Sequence, residues 1–255
     1  MNPPTRIFLT GASTGLGEGL ARHYAREGVI LGLVARRKEL LEERARELSD
    51  KGATVHLWSQ DVADTEGMER IAHAFLDKAG GVDLVVANAG VGIKHGLLEG
   101  NAREIAWLLG INVVGVTNTV VPFVPAMVQQ GSGVLVAVGS FAGHRAIPGR
   151  AAYSASKAAV KTFMDGLRMD LTGTGVHAMT FCPGFVRTPL TAHNPDMFFV
   201  LEVDEAVGIM ARAIAARKNT VTFPWQMNLL KEVVTRAPEA LMRKAAPRPR
   251  TQSSH

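Results

Sequence analysis

Seven short apolar runs alternate with helix-like segments along this chain, and this alternation constrains its fold more than any other feature. The runs carry Val, Ile and Leu at consecutive positions, which is typical of strands covered on both faces. They occupy residues 6–10, 29–35, 54–58, 82–87, 133–138, 176–181 and 220–223. Charged or amphipathic segments of helical character lie between them, among them 38–51, 65–79 and 152–172. The sequence therefore predicts an α/β fold with a single doubly wound sheet of about seven parallel strands and helices on both faces.

The chain shows no internal repeat and no linker that would divide it, and its 255 residues suffice for one large domain with a buried core. We expect a sheet domain over residues 1–224 and a helical extension over 225–245, interrupted by Pro238. A Pro-, Arg- and Ser-rich tail over 246–255 is expected to be disordered. Three roles stay open for the extension: covering a substrate pocket, joining a dimer, or lying on a membrane surface.

The net charge is +5, and most of it lies between Arg236 and His255. A basic end of this kind contacts nucleic acid or acidic lipid, or is simply a solvated terminus, which is the commoner case. We therefore predict no nucleic-acid partner. Cys182 is the single cysteine, so no intramolecular disulfide can form, and residues 1–5 lack the pattern of a secretory signal. These features favour a cytoplasmic protein.

One long stretch, between Glu104 and Arg145, contains no Asp, Glu, Lys or Arg. A hydropathy window alone would mark it as membrane-spanning. However, Asn112, Asn118 and Pro122 interrupt the apolar pattern, as do further glutamines, prolines and glycines. We predict instead a buried helix, a turn and a fully buried strand, with no transmembrane segment.

A glycine-rich turn follows the first predicted strand and precedes a helical run. It contains Gly11, Ser13, Thr14, Gly15, Leu16 and Gly17. Glycines there let the backbone approach a pyrophosphate, and the next helix offers free N–H groups and the positive end of its dipole. The hydroxyls of Ser13 and Thr14 would add donors. A tight strand-to-helix turn without a ligand is the alternative interpretation.

Two arginines, Arg36 and Arg37, come directly after the second predicted strand. In NAD-binding sheets an acid near this position bonds the ribose 2′-hydroxyl. A guanidinium instead suits a 2′-phosphate, which an acid would repel. The pair therefore favours NADP(H) over NAD(H), unless it simply begins the charged helix that follows.

Taken together, the motifs make this chain resemble the short-chain dehydrogenase/reductase family over roughly its first 225 residues. The matching pieces occur in the family's order: Thr10-Gly11-x3-Gly15-x-Gly17, Asp61-Val62, Asn88-Ala89-Gly90, Asn112, Ser140, Tyr153-x3-Lys157, and Pro183-Gly184 with Thr188. The resemblance implies a Rossmann-type fold and an NADP-dependent oxidoreductase that transfers hydride between NADP(H) and a carbonyl or alcohol.

Tyr153 and Lys157 are four residues apart, so they share one face of a helix. A lysine ammonium near a phenol stabilises the phenolate, and we expect it to lower the pKa of Tyr153. The resemblance implies that Tyr153 protonates the carbonyl oxygen, that Ser140 holds the same oxygen, and that Lys157 bonds the nicotinamide ribose. Asn112 would anchor a water leading to Lys157. Taken singly, each of these is also an ordinary helix, turn or cap residue.

Further positions carry over from the resemblance as cofactor contacts. Asp61 and Val62 would contact the adenine, and Asn88, Ala89 and Gly90 would line the cofactor. In this turn the family often has another Asn where this chain has Ala87. The nicotinamide side would be formed by Pro183, Gly184, Val186 and Thr188.

Apolar residues dominate the region where substrate specificity would reside. Pocket candidates are Ile93, Phe141, His144, Ile147 and Leu190, and they suit a lipophilic ketone, aldehyde or alcohol. The histidines are scattered without metal-ligand spacing, so no metal is expected. A non-catalytic NADP(H)-binding sensor is the competing hypothesis, although it would not need Ser140, Tyr153 and Lys157. The resemblance also implies a homodimer or homotetramer, with residues 110–127 as a candidate interface.

Overall fold

The computed structural model describes residues 3–92 and 101–244. Seven strands form one sheet in the order β3-β2-β1-β4-β5-β6-β7, and every neighbouring pair is parallel. The strands are β1 (Arg6–Thr10), β2 (Ile30–Ala35), β3 (Thr54–Ser59), β4 (Leu84–Ala87), β5 (Gly133–Val138), β6 (Val176–Pro183) and β7 (Thr220–Phe223). The predicted α/β fold with a doubly wound parallel sheet is confirmed.

Ten α-helices connect and cover the strands within the described residues. They are α1 (Gly15–Tyr24), α2 (Lys38–Asp50), α3 (Thr65–Ala79), α4 (Ala102–Leu109), α5 (Gly115–Val120), α6 (Val124–Gln130), α7 (Ala151–Asp170), α8 (Val203–Ala215), α9 (Trp225–Arg236) and α10 (Glu239–Lys244). A π-helical turn, Gly110–Val114, joins α4 to α5, and short 3-10 turns occur at Val121–Phe123 and Phe141–Gly143. Asp64 caps α3 by accepting a hydrogen bond from the Gly67 N–H at 3.0 Å.

Two apolar layers enclose the sheet, which explains why its strands are apolar at consecutive positions. On β1, Ile7 and Leu9 are buried in the layer that also contains α1, α2 and α8, whereas Phe8 between them is buried in the opposite layer. There Phe8 packs against Phe75 of α3 and against Phe123, with ring centroids 5.4 and 4.7 Å apart. Successive side chains of a strand point to opposite faces, so a strand covered on both faces is apolar at consecutive positions.

The uncharged stretch forms the helical run Ala102–Gln130 and then β5, as predicted. By length and composition alone this run would cross a membrane, a test that core helices also pass. Half of its most apolar window is buried inside the fold, where Val116, Val120 and Met127 belong to the core beneath the sheet. Its outer side leaves five apolar side chains exposed, which are Trp107, Leu109, Val114, Val121 and Val128.

The strand order reverses between β1 and β4, and this reversal positions the site. Connections from β1 and β4 leave the sheet in opposite directions there, so a crevice opens at the carboxyl ends of the strands. The segments that follow the six strands β1 to β6 meet at this edge.

Candidate active site

A cleft of about 300 Å³ lies at this edge of the sheet, at the lower end of the usual size of ligand pockets. Segments that follow six different strands contribute to its wall. The predicted residues that line it are Gly11, Ser13, Thr14, Gly15, Leu16, Arg36, Arg37, Asp61, Val62, Asn88, Ala89, Gly90, Ser140, Tyr153, Lys157, Pro183, Gly184, Val186, Thr188 and Leu190. One cleft therefore brings together most of the cofactor and catalytic candidates, which are far apart in sequence.

The glycine-rich turn at the start of α1 has a backbone that only glycine accommodates. Gly11 and Gly15 have φ angles of +67° and +62°, and a Cβ at Gly17 would lie 2.2 Å from the Gly11 carbonyl oxygen. Thr14 precedes α1 without capping it through its side chain. The first amide groups of α1 are therefore left for an anionic group in the cleft.

Arg37 reaches across this turn from the end of β2. Its guanidinium donates to the Thr14 hydroxyl at 3.1 Å and to the Ser13 hydroxyl at 3.4 Å. Asp61, the acid that lines the same end of the cleft, accepts a hydrogen bond from the Ala63 N–H at 3.0 Å. The end of β2 presents positive charge to the cleft, and the glycine turn adds two hydroxyls beside it, which together are a donor set for a phosphate.

Asn88 holds the ends of β1 and β4 together. Its side-chain amide donates to the carbonyl oxygens of Thr10 and Gly11 at 3.2 and 3.1 Å. In return, the Thr10 hydroxyl lies 3.3 and 3.4 Å from the backbone N–H groups of Asn88 and Ala89. These bonds fix the glycine turn against the loop after β4. They do not involve the side chain of Ala87, so the departure from the family's pattern there leaves them intact.

Lys157 is buried on α7 and faces the cleft. Its ammonium donates to the Val138 carbonyl oxygen at 2.9 Å and lies 5.8 Å from the centre of the Tyr153 ring. Only 5% of the residue is exposed, and this burial lowers the pKa of Lys157 to about 8.

The expectation that Lys157 lowers the pKa of Tyr153 is wrong for this structure. Burial of the phenol raises the pKa of Tyr153, and the Ser140 hydroxyl and Arg150 only partly oppose that effect. The free energy needed to remove a phenolate from water is larger here than the stabilisation that the neighbouring groups give it. Tyr153 therefore keeps its proton at neutral pH.

Asn112 lies in the π-helical turn, is fully buried, and does not line the cleft. Its side chain accepts from the Val91 N–H at 2.8 Å and donates to the Val91 carbonyl oxygen at 2.9 Å. It also donates to the Ser156 hydroxyl at 3.1 Å, which in turn donates to the Tyr153 carbonyl oxygen at 2.7 Å. Asn112 thus ties the loop after β4 to the turn of α7 that carries Tyr153. Its role toward a water stays a prediction.

Sequence reasoning missed Ser156, which completes this link. It lies between the two residues of the Tyr153-x3-Lys157 motif and is fully buried. A serine three positions after Tyr153 on the same helix lies beside it. Its spacing from Tyr153, together with an uncharged neighbouring helix, could have indicated Ser156 from the sequence.

Three of the five pocket candidates do not line the cleft. Leu190 lines the cleft, and Ile93 lies outside the described residues. Phe141, His144 and Ile147 are absent from the cleft wall, because the turn Phe141–Gly143 packs tightly against α7. A Cβ at Gly143 would lie 2.7 Å from the Lys157 carbonyl oxygen.

His144 is directed toward β7 by this turn. Its Nε2 lies 2.9 Å from the Thr222 hydroxyl, and its ring contacts Phe141 edge-on at 6.1 Å between centroids. Burial lowers the pKa of His144, so the ring is neutral at physiological pH. Over residues 3–92 and 101–244, no three His, Cys, Asp or Glu side chains are grouped to hold a metal ion.

Comparison with known proteins supports a shared family. The profile of the family described as short chain dehydrogenase matches residues 5–197. An uncharacterised oxidoreductase of Myxococcus xanthus is 42% identical over 248 residues, which cover 94% of this chain and 96% of the relative. An uncharacterised oxidoreductase of Mycobacterium tuberculosis is 33% identical, over 86% of this chain and 88% of the relative.

Two solved structures show the same architecture. A short-chain dehydrogenase/reductase from Burkholderia phymatum in complex with NAD has a TM-score of 0.82 and 26% identity, over 97% of each chain. An alcohol dehydrogenase from Thermococcus sibiricus complexed with 5-hydroxy-NADP has a TM-score of 0.77 and 29% identity. That likeness covers 85% of this chain and 94% of the archaeal one. The protein is an oxidoreductase of a nicotinamide-binding fold, and it belongs to the short-chain dehydrogenase family.

Proposed function

We propose that this protein transfers hydride between NADP(H) and the carbonyl or alcohol group of a lipophilic small molecule. The main support for this proposal is that Ser140, Tyr153 and Lys157 lie together on the wall of the cleft. The same cleft also contains the glycine turn and Arg37. A protein that only binds the nucleotide needs the turn and the arginine but not the other three residues.

The cleft fits a dinucleotide with a 2′-phosphate. The glycine turn would hold the pyrophosphate, because it leads into the amide groups at the start of α1, which no side chain caps, and its glycines place no side chain before them. Arg36 and Arg37, with the hydroxyls of Ser13 and Thr14, would hold the 2′-phosphate. We propose NADP(H) as the preferred cofactor, although solved relatives bind both kinds of dinucleotide.

The nicotinamide supplies or accepts the hydride when it is bound, and the proton must come from the protein. Tyr153 is suited to give it, because its raised pKa keeps the phenol protonated at neutral pH. The Ser140 hydroxyl beside it would hold the same substrate oxygen. The Lys157 ammonium, 5.8 Å from the ring, would stabilise the negative charge that the phenol acquires as its proton leaves. This arrangement favours carbonyl reduction at neutral pH.

The substrate side of the cleft is apolar. Leu190, Pro189 and Val186 line it. Phe185 lies in the chain between the lining residues Gly184 and Val186 and contacts Phe198 edge-on, with ring centroids 5.1 Å apart. No Lys or Arg occurs between Arg187 and Arg212 to bind a carboxylate. We therefore propose a lipophilic ketone or aldehyde and the corresponding alcohol.

We further propose a homodimer or homotetramer, because apolar side chains along Ala102–Gln130 remain exposed on the monomer. Residues 1–224 would form the catalytic domain and 225–245 its extension. A cytoplasmic location would suit the single cysteine, Cys182, whose thiol is buried and whose pKa is raised to about 11 by that burial.

The first test is to titrate the protein with NADPH and with NADH, following nicotinamide fluorescence, and then to add hydrophobic ketones and aldehydes. We expect tighter binding of NADPH, and its oxidation by at least one carbonyl compound. Binding of neither nucleotide would refute the proposed cofactor site. Tight binding without turnover by any compound of a broad panel would favour a non-catalytic sensor.

A further inference from the structure

Met227, in the first turn of α9, is buried outside both apolar layers of the sheet. It is 1% exposed, yet within residues 3–92 and 101–244 it is a member of neither layer. Its side chain lies instead against the turn that follows β6. A Cβ added to Gly184 would be 2.8 Å from the Met227 Cγ and 3.2 Å from its sulfur. Because Gly184 carries no Cβ, the methionine packs directly on the backbone of that turn.

The turn at Gly184 is part of the cleft wall, whereas Met227 does not line the cleft. The methionine therefore supports this wall from behind. In the sheet, β6, which leads into Gly184, is four strands away from β2, which leads into Arg37. Neighbouring strands are about 4.8 Å apart, so the two turns are separated by about 19 Å. Met227 thus supports the end of the cleft that lies opposite the donors for the 2′-phosphate.

Hydrogen bonds at both ends hold α9 in this position. Near its start, the Asn228 side chain donates to the carbonyl oxygen of Thr222 on β7 at 3.0 Å. At its end, the Thr235 carbonyl oxygen accepts from the guanidinium of Arg145 at 2.8 Å. Arg145 belongs to the segment between β5 and α7, which also borders the cleft. Both ends of α9 are therefore fixed to the domain, and Met227 has a defined place behind the wall.

We propose that Met227 is a positioning residue for the nicotinamide half of bound NADP(H), and that α9 holds it in place. The inference rests on the proposed NADP(H) site, in which the adenosine half lies at Arg37 and the nicotinamide half at Gly184. A supported wall needs no ordering when the cofactor binds, which favours affinity. Without the methionine side chain, a cavity behind Gly184 would let the wall move away from the nicotinamide. The matched family profile ends at residue 197, so this support comes from a part of the chain beyond it.

The test compares two ligands by titration calorimetry: NADPH, and adenosine 2′,5′-bisphosphate, which carries the 2′-phosphate but no nicotinamide. We expect Met227→Ala to weaken NADPH binding by about tenfold and to leave the bisphosphate within about twofold, because only NADPH reaches the supported wall. Met227→Leu keeps most of the volume and should bind both ligands as the unaltered protein does. Met210→Ala is the matched control, because Met210 is fully buried on α8 and does not line the cleft.

Selective loss of NADPH affinity in Met227→Ala alone supports the inference, since a variant that was merely less stable would lose both ligands equally. Circular dichroism confirms that each variant is folded at the temperature of the titration. Equal weakening of both ligands, unchanged NADPH binding, or the same selective loss in Met210→Ala overturns the inference.

Failure of the proposed function is a separate result, because calorimetry needs no turnover. If NADPH binds but no carbonyl compound is reduced, hydride transfer is refuted, and the titrations of the variants still decide the role of Met227. If the unaltered protein binds neither ligand, the proposed cofactor site and the inference are overturned together.

Discussion

Replacing Lys157 by methionine should make the protein more stable at neutral pH while abolishing its turnover. Methionine has a similar length and no charge, so it can occupy the buried position without an ammonium. Burial lowers the pKa of Lys157 from 10.5 to about 8. Since one pKa unit corresponds to about 1.4 kcal/mol, keeping this lysine charged at neutral pH costs the folded state about 3 kcal/mol.

The substitution also removes the hydrogen bond from the ammonium to the Val138 carbonyl oxygen, 2.9 Å long. An unpaired buried carbonyl costs about 1 kcal/mol, so we expect a net gain of about 2 kcal/mol in the free energy of unfolding at neutral pH. The gain depends on pH. The unfolded lysine binds a proton more tightly than the folded one, so the unaltered protein becomes more stable as pH rises from 8 toward 10.5. The advantage of the variant should shrink by about 1 kcal/mol between pH 7 and pH 9.

Urea unfolding followed by circular dichroism, without nucleotide, measures both quantities. Lys161→Met is the control one turn further along α7, where the lysine is partly exposed and paired with Asp165 at 2.7 Å. This control should lose a little stability, because it breaks the pair with Asp165. A Lys157→Met variant that is less stable than the unaltered protein at neutral pH, or whose advantage is the same at both pH values, would refute the argument from burial.

Two further substitutions test the cofactor preference and the positioning of α7. Arg36→Ala with Arg37→Ala should weaken NADPH binding by about 2 kcal/mol, or roughly thirtyfold, and leave NADH almost unchanged, as measured by fluorescence titration against an Arg70→Ala control. Equal weakening of both nucleotides would contradict the placement of the 2′-phosphate. Ser156→Ala should lower kcat more than it changes the KM for NADPH, because it releases the link from Asn112 to the Tyr153 turn. Ser154→Ala is the control: it removes the acceptor of the Ile147 N–H and should cost stability but leave kcat unchanged. Equal effects of the two serine variants on kcat would argue against a positioning role for Ser156.

The layout of the sheet followed from the sequence because its inner strands are buried on both faces. Phe8 between Ile7 and Leu9 shows why: a core lies on either side, and the apolar run has no gap. The glycine turn was equally predictable, since Gly11 and Gly17 meet steric demands that no other residue satisfies. These features depend on burial and on local steric demands, so they can be predicted from short stretches of sequence.

The substrate side depends on tertiary contacts and was predicted poorly. Phe141 and His144 are near Ser140 in sequence but do not line the cleft. The turn that contains them packs closely on the backbone of α7 at Gly143, and His144 reaches β7 instead. The direction that we predicted for the pKa shift of Tyr153 was wrong for a related reason. The spacing to Lys157 predicts proximity, whereas the depth of burial, which sets the larger effect, appears only in the folded structure.

The most direct test of hydride transfer by this site is the turnover of Tyr153→Phe with NADPH and a carbonyl compound that the unaltered protein reduces. Phenylalanine keeps the ring and removes the hydroxyl, so the cleft and its nucleotide contacts should remain. We predict that NADPH binds as before and that turnover falls by at least about a hundredfold, the usual contribution of a general acid. Unchanged turnover with intact NADPH binding would show that the proton comes from elsewhere and would contradict the assignment of this site.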